Sequence, residues 1–444
     1  MQICSSHLAR MAARRFQTRS MHNLDDLRAG RLRGITRLDL ELGLSEFPRE
    51  IFTLADSLEV LNLSNNDLSE LPDDLHRLTR LKVLFCSGNR FIELPTALGR
   101  CATLETVGFR DNQIQLVTAQ ALPASLRALI LTENALETLP DALGDCARLQ
   151  KLMLAGNRLS ALPEGLARCE RLELLRIASN CLPALPDWLL RMPSLAWLAY
   201  ADNPMPVGFV APAEEGHCPR IAWHAIHLEQ VLGQGASGVI HRATCQGQDA
   251  PMAVKLYKGA LTSDGSPLAE MSACIAAGDH PNLVRLAGRI DDHPQQLPAL
   301  VMHLIAPHWR NLAGPPSLDS CTRDRYADTF TLPLGNVRRL ASGIASVCAH
   351  LHGRGLCHGD LYAHNILFDE DGQCLLGDFG AASFHPRSQA LERLEVRAFG
   401  ILLEELLAHC PESDKMLHTL ARRCQHPDVA ERPLFNEVVE RLSA

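Results

Sequence analysis

The sequence predicts an α/β solenoid built on one parallel sheet, followed by a second, α+β domain. Three observations lead there. Leucines recur every 22 or 23 residues from Ile35 to about Met205, a glycine-rich turn at 233–238 precedes a strand ending in Lys255, and the stretch from His358 to Gly380 carries two carboxylates and an amide at fixed spacing.

Composition sets the class. A chain of 444 residues with 46% hydrophobic and 21% charged residues reads as a globular protein of two or three domains. Its net charge of -8 gives no electrostatic case for nucleic acid, which is bound by neutralising phosphates with Lys and Arg. No apolar run reaches the roughly 18–20 residues of a membrane span, since the candidates near Leu300 and Ile401 are short or interrupted by Glu404 and Glu405. The 15 cysteines are scattered without a Cys-x-x-Cys pair, so a reducing, cytoplasmic location is expected. Residues 1–34 read as a leader and N-terminal cap. The leader holds Arg10, Arg14, Arg15 and Arg19 but no apolar segment, which argues against a secretory signal, and Met21 is an alternative start.

The repeat occupies 35–205. Leu58, Leu81, Leu104, Leu126, Leu149, Leu172 and Leu195 open successive units after a slightly irregular one at Ile35. Each unit follows the order of Leu149, Leu152, Leu154, Asn157 and Leu159, and the Asn column continues through Asn66, Asn89, Asn112, Asn134, Asn180 and Asn203. Leucines two apart on a short strand point inward. The chain must then turn, and a stacked Asn amide can satisfy backbone groups that would otherwise cost about 1–3 kcal/mol each. Leu-Pro at 71–72, 94–95, 139–140, 162–163 and 185–186 predicts an extended return on the convex side. Cys101, Cys146 and Cys169 sit three residues before a unit's first Leu and read as packed small hydrophobes. The period lies in the leucine-rich-repeat range, and the first half resembles leucine-rich-repeat proteins. Polar residues that vary from unit to unit along the concave sheet predict a protein partner or substrate bound there.

Residues 206–220, with Pro206, Pro212 and Pro219, read as a linker. Beyond it, Leu228–Leu232 and Val239–Thr244 read as strands flanking the glycines. A strand rather than a helix follows them, so the turn fits a hairpin closing over phosphates and not a dinucleotide fingerprint. Met252-Ala253-Val254-Lys255 ends in a lysine for which Glu270 on the following helix is a partner, and such a pair can hold the ammonium against phosphates. Asn365 follows Asp360 by five residues and Asp378 follows Asn365 by thirteen. Phosphoryl transfer needs such a set: one carboxylate to orient and deprotonate a hydroxyl, an amide oxygen and a second carboxylate to hold magnesium. Ile366–Phe368 and Cys374–Leu376 read as a hairpin that sets Asn365 beside Asp378.

From about Ile221 to Leu442 these motifs, in this order, resemble a eukaryotic-type protein kinase domain, and the chain as a whole resembles a leucine-rich-repeat protein kinase. The resemblance implies a bilobal α+β fold at 221–444, ATP with magnesium, and transfer to Ser or Thr of a protein. It implies Leu232, Gly233, Gly235, Gly238, Ile240, Ala253, Lys255, Glu270 and Leu367 around the nucleotide, Met302 before the hinge, Asp360, Asn365 and Lys255 as catalytic residues, and Asn365 and Asp378 as magnesium ligands. Four positions depart from the pattern. Gly359 replaces an Arg that reads activation-loop phosphorylation. Tyr362 replaces the phosphate-steadying Lys, and His364 stands where tyrosine kinases use Arg, leaving an imidazole as a weaker clamp. The segment from Gly380 to Glu395 is too short for an Ala-Pro-Glu motif, so Arg432 loses its usual partner, with Glu392 the nearest substitute. These losses weaken peptide selection and make a small-molecule phosphotransferase, or an ATP-binding pseudokinase scaffold, the alternatives.

Overall fold

The computed structural model describes residues 22–206, 218–235, 237–258, 261–262 and 264–443. The leader up to Met21 and most of the 206–220 linker lie outside the described residues. The chain opens with a short helix, α1 (Leu24–Arg28), whose Asn23 side chain caps it by accepting the Asp26 N–H at 2.8 Å. Eight three-residue strands then stack in parallel and in sequence order: β1 (Arg37–Asp39), β2 (Val60–Asn62), β3 (Val83–Phe85), β4 (Thr106–Gly108), β5 (Ala128–Ile130), β6 (Lys151–Met153), β7 (Leu174–Arg176) and β8 (Trp197–Ala199). The middle residue of each strand points inward and is buried, from Leu38 to Leu198. Its two neighbours point outward onto the concave face, and the strand register aligns them in columns, one running through Arg37, Val60 and Val83 to Trp197.

The Asn column does the work expected of it. Asn66 donates from Nδ2 to the carbonyls of Leu40 and Leu63, both at 2.8 Å, and accepts the N–H groups of Leu42 and Leu44 at 3.0 and 2.9 Å. Asn157 and Asn180 repeat the pattern toward Leu131 and Leu154 of the preceding coil. Each amide thus satisfies turn backbone of two coils at once. On the convex return the prolines are extended, as expected, but each leads into a helical turn. Pro48, Pro95, Pro140 and Pro163 each stand at the N-cap of a short 3-10 turn, because a fixed φ near −65° suits entry into a helical turn.

The second domain begins with a five-stranded antiparallel sheet ordered β12-β13-β11-β10-β9. Its strands are β9 (Ile226–Gln234), β10 (Gly238–Cys245), β11 (Met252–Tyr257), β12 (Leu286–Ile290) and β13 (Ala299–His303), with helix α2 (Pro267–Ala277) inserted after β11. Ser266 caps α2 by accepting the Ala269 N–H, and proline fills its first position. The rest is mainly helical: α3 (Leu334–Gly353), α4 (Gln389–Ala408), α5 (Lys415–Cys424) and α6 (Phe435–Ser443). Between them run the short strands β14 (Arg310–Asn311), β15 (Leu356–Cys357), β16 (Ile366–Phe368), β17 (Cys374–Leu376) and β18 (Ser383–Phe384). The hairpin expected at 366–376 forms as β16 and β17, with Ile366 opposite Leu376. Among the described residues no helix is long and apolar enough to cross a membrane.

The concave face is not uniformly open to a partner. Its last coils are covered by the chain's own second domain. Met153, Leu174, Ala196 and Trp197 belong to the same buried cluster as Val396, Phe399 and Leu402 of α4. In return Cys357, Leu391, Leu394 and Val429 join the leucine core of the repeats. Polar contacts ring this apolar seam. Arg323 makes a bidentate pair with Glu173 at 2.7 and 2.8 Å, Arg397 donates to the Ser194 carbonyl at 3.0 Å, and Tyr200 donates to the Phe384 carbonyl at 3.1 Å. The outward residues at this end are largely apolar, unlike the variable polar set on which a partner site was expected.

Candidate active site

Between the five-stranded sheet and the β16–β17 hairpin lies a cavity of about 690 Å³ lined by Leu232, Ile240, Ala253, Lys255, Glu270, Met302, Leu367 and Asp378. The sheet register explains the grouping. Ala253 pairs with Met302, and Ile240 with Lys255, so apolar positions floor the cavity and the lysine stands at its inner end. Lys255 reaches Glu270 on α2 in an ion pair. Burial raises the Glu270 carboxyl and the ammonium opposes it, with burial prevailing. Around Gly233 and Gly235 nothing approaches within 4 Å of an added Cβ, whereas at Gly238 it would lie 2.5 Å from the Leu256 carbonyl oxygen. The first two glycines leave room above the cavity, and the third permits close strand pairing.

The catalytic-loop candidate is anchored from below. Glu395 of α4 accepts the N–H groups of His358 and Gly359 at 3.2 and 2.6 Å and bonds His352 Nε2 at 2.7 Å. Burial works to raise the Glu395 pKa, but the His352 hydrogen bond and charge, with His358 and the Gly359 N–H, prevail and lower it. His385 and Cys357 lie near His352 at metal-ligand spacing. The ring nitrogens are already spent, since His385 accepts the Ser388 N–H at 2.9 Å and contacts His352 Nδ1 at 3.1 Å. This cluster is a hydrogen-bonded relay supporting the loop, complete without an ion.

Asp360 sits above that anchor. Asn365 donates from Nδ2 to the Asp360 carbonyl at 2.9 Å and to Oδ2 at 2.7 Å, which turns the Asn365 amide oxygen outward. The Gly377 N–H donates to the Asn365 carbonyl at 3.0 Å, bringing Asp378 beside it. Asp378 is exposed, accepts the Gly380 N–H at 3.1 Å and adopts φ +57, a left-handed conformation that non-glycine residues hold where surroundings demand it. An outward amide oxygen and an exposed carboxylate are hard oxygen donors, and together they could hold magnesium.

Several contacts had no counterpart in the sequence reading. Arg176 of β7 enters the site from the solenoid and pairs with Asp360 Oδ1 and, at 2.8 Å, with Asp264. Trp197 of β8 stacks on Tyr362 with ring centroids 4.2 Å apart and 8° between planes, and donates from Nε1 to the Leu361 carbonyl at 3.0 Å. Tyr362 is therefore packing material. His364 is held by Asp324 at 2.7 Å. Burial lowers the imidazole pKa, while Asp324 outweighs it and leaves the ring raised, tethered to a carboxylate rather than open to a phosphate. At Gly359, φ is +74 and an added Cβ would meet the Ala381 and Leu198 carbonyl oxygens at 2.5 and 2.8 Å. Glycine at 359 thus answers the close approach of β8. Arg432 does not pair with Glu392. It is buried and donates to the carbonyls of His426, Arg393 and Pro193, while Glu392 accepts the Phe435 N–H at 2.8 Å. Burial and the nearby Arg397 charge push Arg432 down to about 9. The outward Leu174 and Trp197, with Gly359, were the available signs that these surfaces meet.

Comparison with known proteins finds two kinds of family along the chain. The protein kinase domain model matches residues 226–398, and leucine-rich-repeat models match 56–98 and 147–205. The chain is similar to ephrin type-A receptor 8 of Homo sapiens, 25% identical over 279 residues that cover 49% of this chain and 26% of that protein. It is also similar to the calmodulin-binding receptor kinase CaMRLK of Arabidopsis thaliana, 27% identical across 44% of this chain and 31% of the relative. A third relative is the serine/threonine-protein kinase mos of Gallus gallus, 30% identical across 37% and 50%. The chain spans between about a quarter and a half of the length of these three relatives. Repeats and antiparallel sheet, matched in order by these families, identify the chain as leucine-rich repeats followed by a protein kinase domain.

Proposed function

We propose that the chain is a magnesium-dependent kinase that transfers the γ-phosphoryl group of ATP to a serine or threonine hydroxyl of a protein, with the repeats at 35–205 and the kinase domain at 221–444 acting as one body. The observation that carries the reading is Asp360, oriented by Asn365, together with a cavity that Asp378 and the Lys255–Glu270 pair line. In kinases that ion pair and the metal-binding Asp must both be in place. ATP would lie with its base against Ile240, Ala253 and Leu367, its phosphates under Gly233 and Gly235 beside Lys255, and magnesium on Asn365 and Asp378. Magnesium supplies charge neutralisation. Asp360 accepts the proton of the acceptor hydroxyl as that oxygen bonds to the γ-phosphorus and the bond to the bridging oxygen breaks, releasing ADP. The serine/threonine class is supported by the relative so described. The first coils, whose outward Val60, Asn62 and Phe85 stay half-exposed, are the part of the concave face left for a partner.

Full-length protein given labelled ATP and magnesium is expected to label itself or casein on Ser or Thr, and Asp360→Asn to lower the rate by roughly 10²–10⁴. Wild-type incorporation no higher than the variant's sinks the reading and leaves an ATP-binding scaffold. One observation favours a second reading: Tyr200 and Trp197 cover the chain around Tyr362 and Phe384, where peptide docking parts are already short. Label passing to soluble metabolites, and not to protein, would mark a small-molecule phosphotransferase.

A further inference from the structure

We propose that Arg176, a residue of the seventh repeat, is a positioning residue for phosphoryl transfer that supplies to Asp360 the cation its own loop lacks at Tyr362 and His364. The inference rests on the kinase reading above and adds to it a component from the other half of the chain. The two loop positions are otherwise engaged. The Tyr362 ring is clasped by Trp197 and its hydroxyl has no hydrogen-bond partner among the described residues, while His364 is bound to Asp324.

Arg176 is built into the site. Its side chain is 2% exposed, and all three guanidinium nitrogens are engaged: Nε with Asp264 Oδ1 at 2.8 Å, Nη1 with the Gly359 carbonyl at 2.9 Å, and Nη2 with Asp360 Oδ1. With Asn365 on Oδ2, each oxygen of Asp360 receives one donor, which fixes the carboxylate plane and leaves lone pairs for an acceptor hydroxyl. Gly359 allows the approach, since a side chain there would strike β8. Lys151, on the neighbouring strand opposite Leu174, is a second cation in this region, whose pKa burial and the Arg176 charge lower while Asp264 and Asp360 oppose them. Adhesion alone does not account for this arrangement. Met153, Leu174 and Trp197 already provide an apolar seam, and a charge placed among them must be desolvated, which is sustained only with well-formed partners. Of its two carboxylate partners, Asp264 and Asp360, the second is the base of the proposed transfer.

The test uses the full-length chain with labelled ATP and casein. Arg176→Ala is expected to lower kcat on the order of a hundredfold with KM for ATP changed by less than about twofold. Arg176→Lys is expected to recover activity to within about tenfold of wild type, and Arg176→Gln not to recover it. A merely structural arginine would move thermal stability without that dependence on charge. Trp197→Ala keeps the cation but loosens its seat, and is expected to slow transfer as well, so the outcome does not hang on one variant folding. Arg176→Ala or Trp197→Ala as fast as wild type overturns the proposal, and either one faster overturns it and makes the solenoid a brake. Lys and Gln performing alike overturns it too. A wild-type chain with no transfer at all removes the kinase reading and this inference with it, an outcome distinct from active but Arg176-independent transfer.

Discussion

Val60 and Trp197 hold the same place in the solenoid, the first residue of β2 and of β8, in one outward column of the sheet. Val60 is half-buried at an open surface, whereas Trp197 is 1% exposed, stacked on Tyr362 beneath the second domain. Glu59 and Glu173 form a second matched pair, each following its unit's opening leucine. Glu59 meets Lys82 of the next coil at 2.9 Å with its side chain 34% exposed, and Glu173, 11% exposed, meets Arg323 of the other domain. The inward leucines and the Asn ladder are the same at both ends. The repeat rule thus determines the coil, and the residues it leaves variable record what each coil faces.

Trp197→Ala is expected to cost about 3–5 kcal/mol against about 0.5 kcal/mol or less for Val60→Ala, read from chemical unfolding midpoints. Equal losses would mean that the last coils are not docked in solution. Acid should attack the docked end next. His385, which burial and then the charge of His352 hold down at about 4, accepts the Ser388 N–H within the segment that carries Phe384. An unfolded chain's histidine titrates near about 6.5, so below that pH the unfolded state gains the proton first. Stability is therefore lost as pH falls from about 6.5 to 4 and no further below, by about 3 kcal/mol. Unfolding midpoints from pH 7 to pH 4 should show this slope, and His385→Phe should remove that part of it. The smallest contrast concerns the glutamates. A double-mutant cycle should give about 1.5–3 kcal/mol for Glu173–Arg323 and about 0.2–1 kcal/mol for Glu59–Lys82. Coupling as weak at Glu173 would reduce the polar rim to surface decoration.

The same contrast explains what sequence reveals. The leucine period and the Asn column are local rules, obeyed by each coil with its neighbour, so a single sequence displays them. Asp360, Asn365 and Asp378 lie on one loop and hairpin, and their spacing encodes their proximity. Arg176 precedes Asp360 by 184 residues, and nothing periodic links the two. Gly359 and Tyr362 stood out as losses from a kinase pattern, because the pattern is written for a domain with nothing docked on it. Against the solenoid, the glycine is clearance for β8 and the tyrosine a stacking partner for Trp197. Arg432 misled for a related reason: its donors are spent on backbone carbonyls, including that of Pro193, and carbonyls carry no residue signature.

The seam bearing Met153, Leu174 and Trp197 also has an order of manufacture. The ribosome makes the repeats first, and the helices that cover this seam begin only at Leu334. At about 5–20 residues per second, a tryptophan-bearing apolar strip stands uncovered for tens of seconds on a nascent solenoid that can already stack its coils. That interval exposes a sticky surface to chaperones and to neighbouring nascent chains, and a pause in synthesis after Met205 would lengthen it.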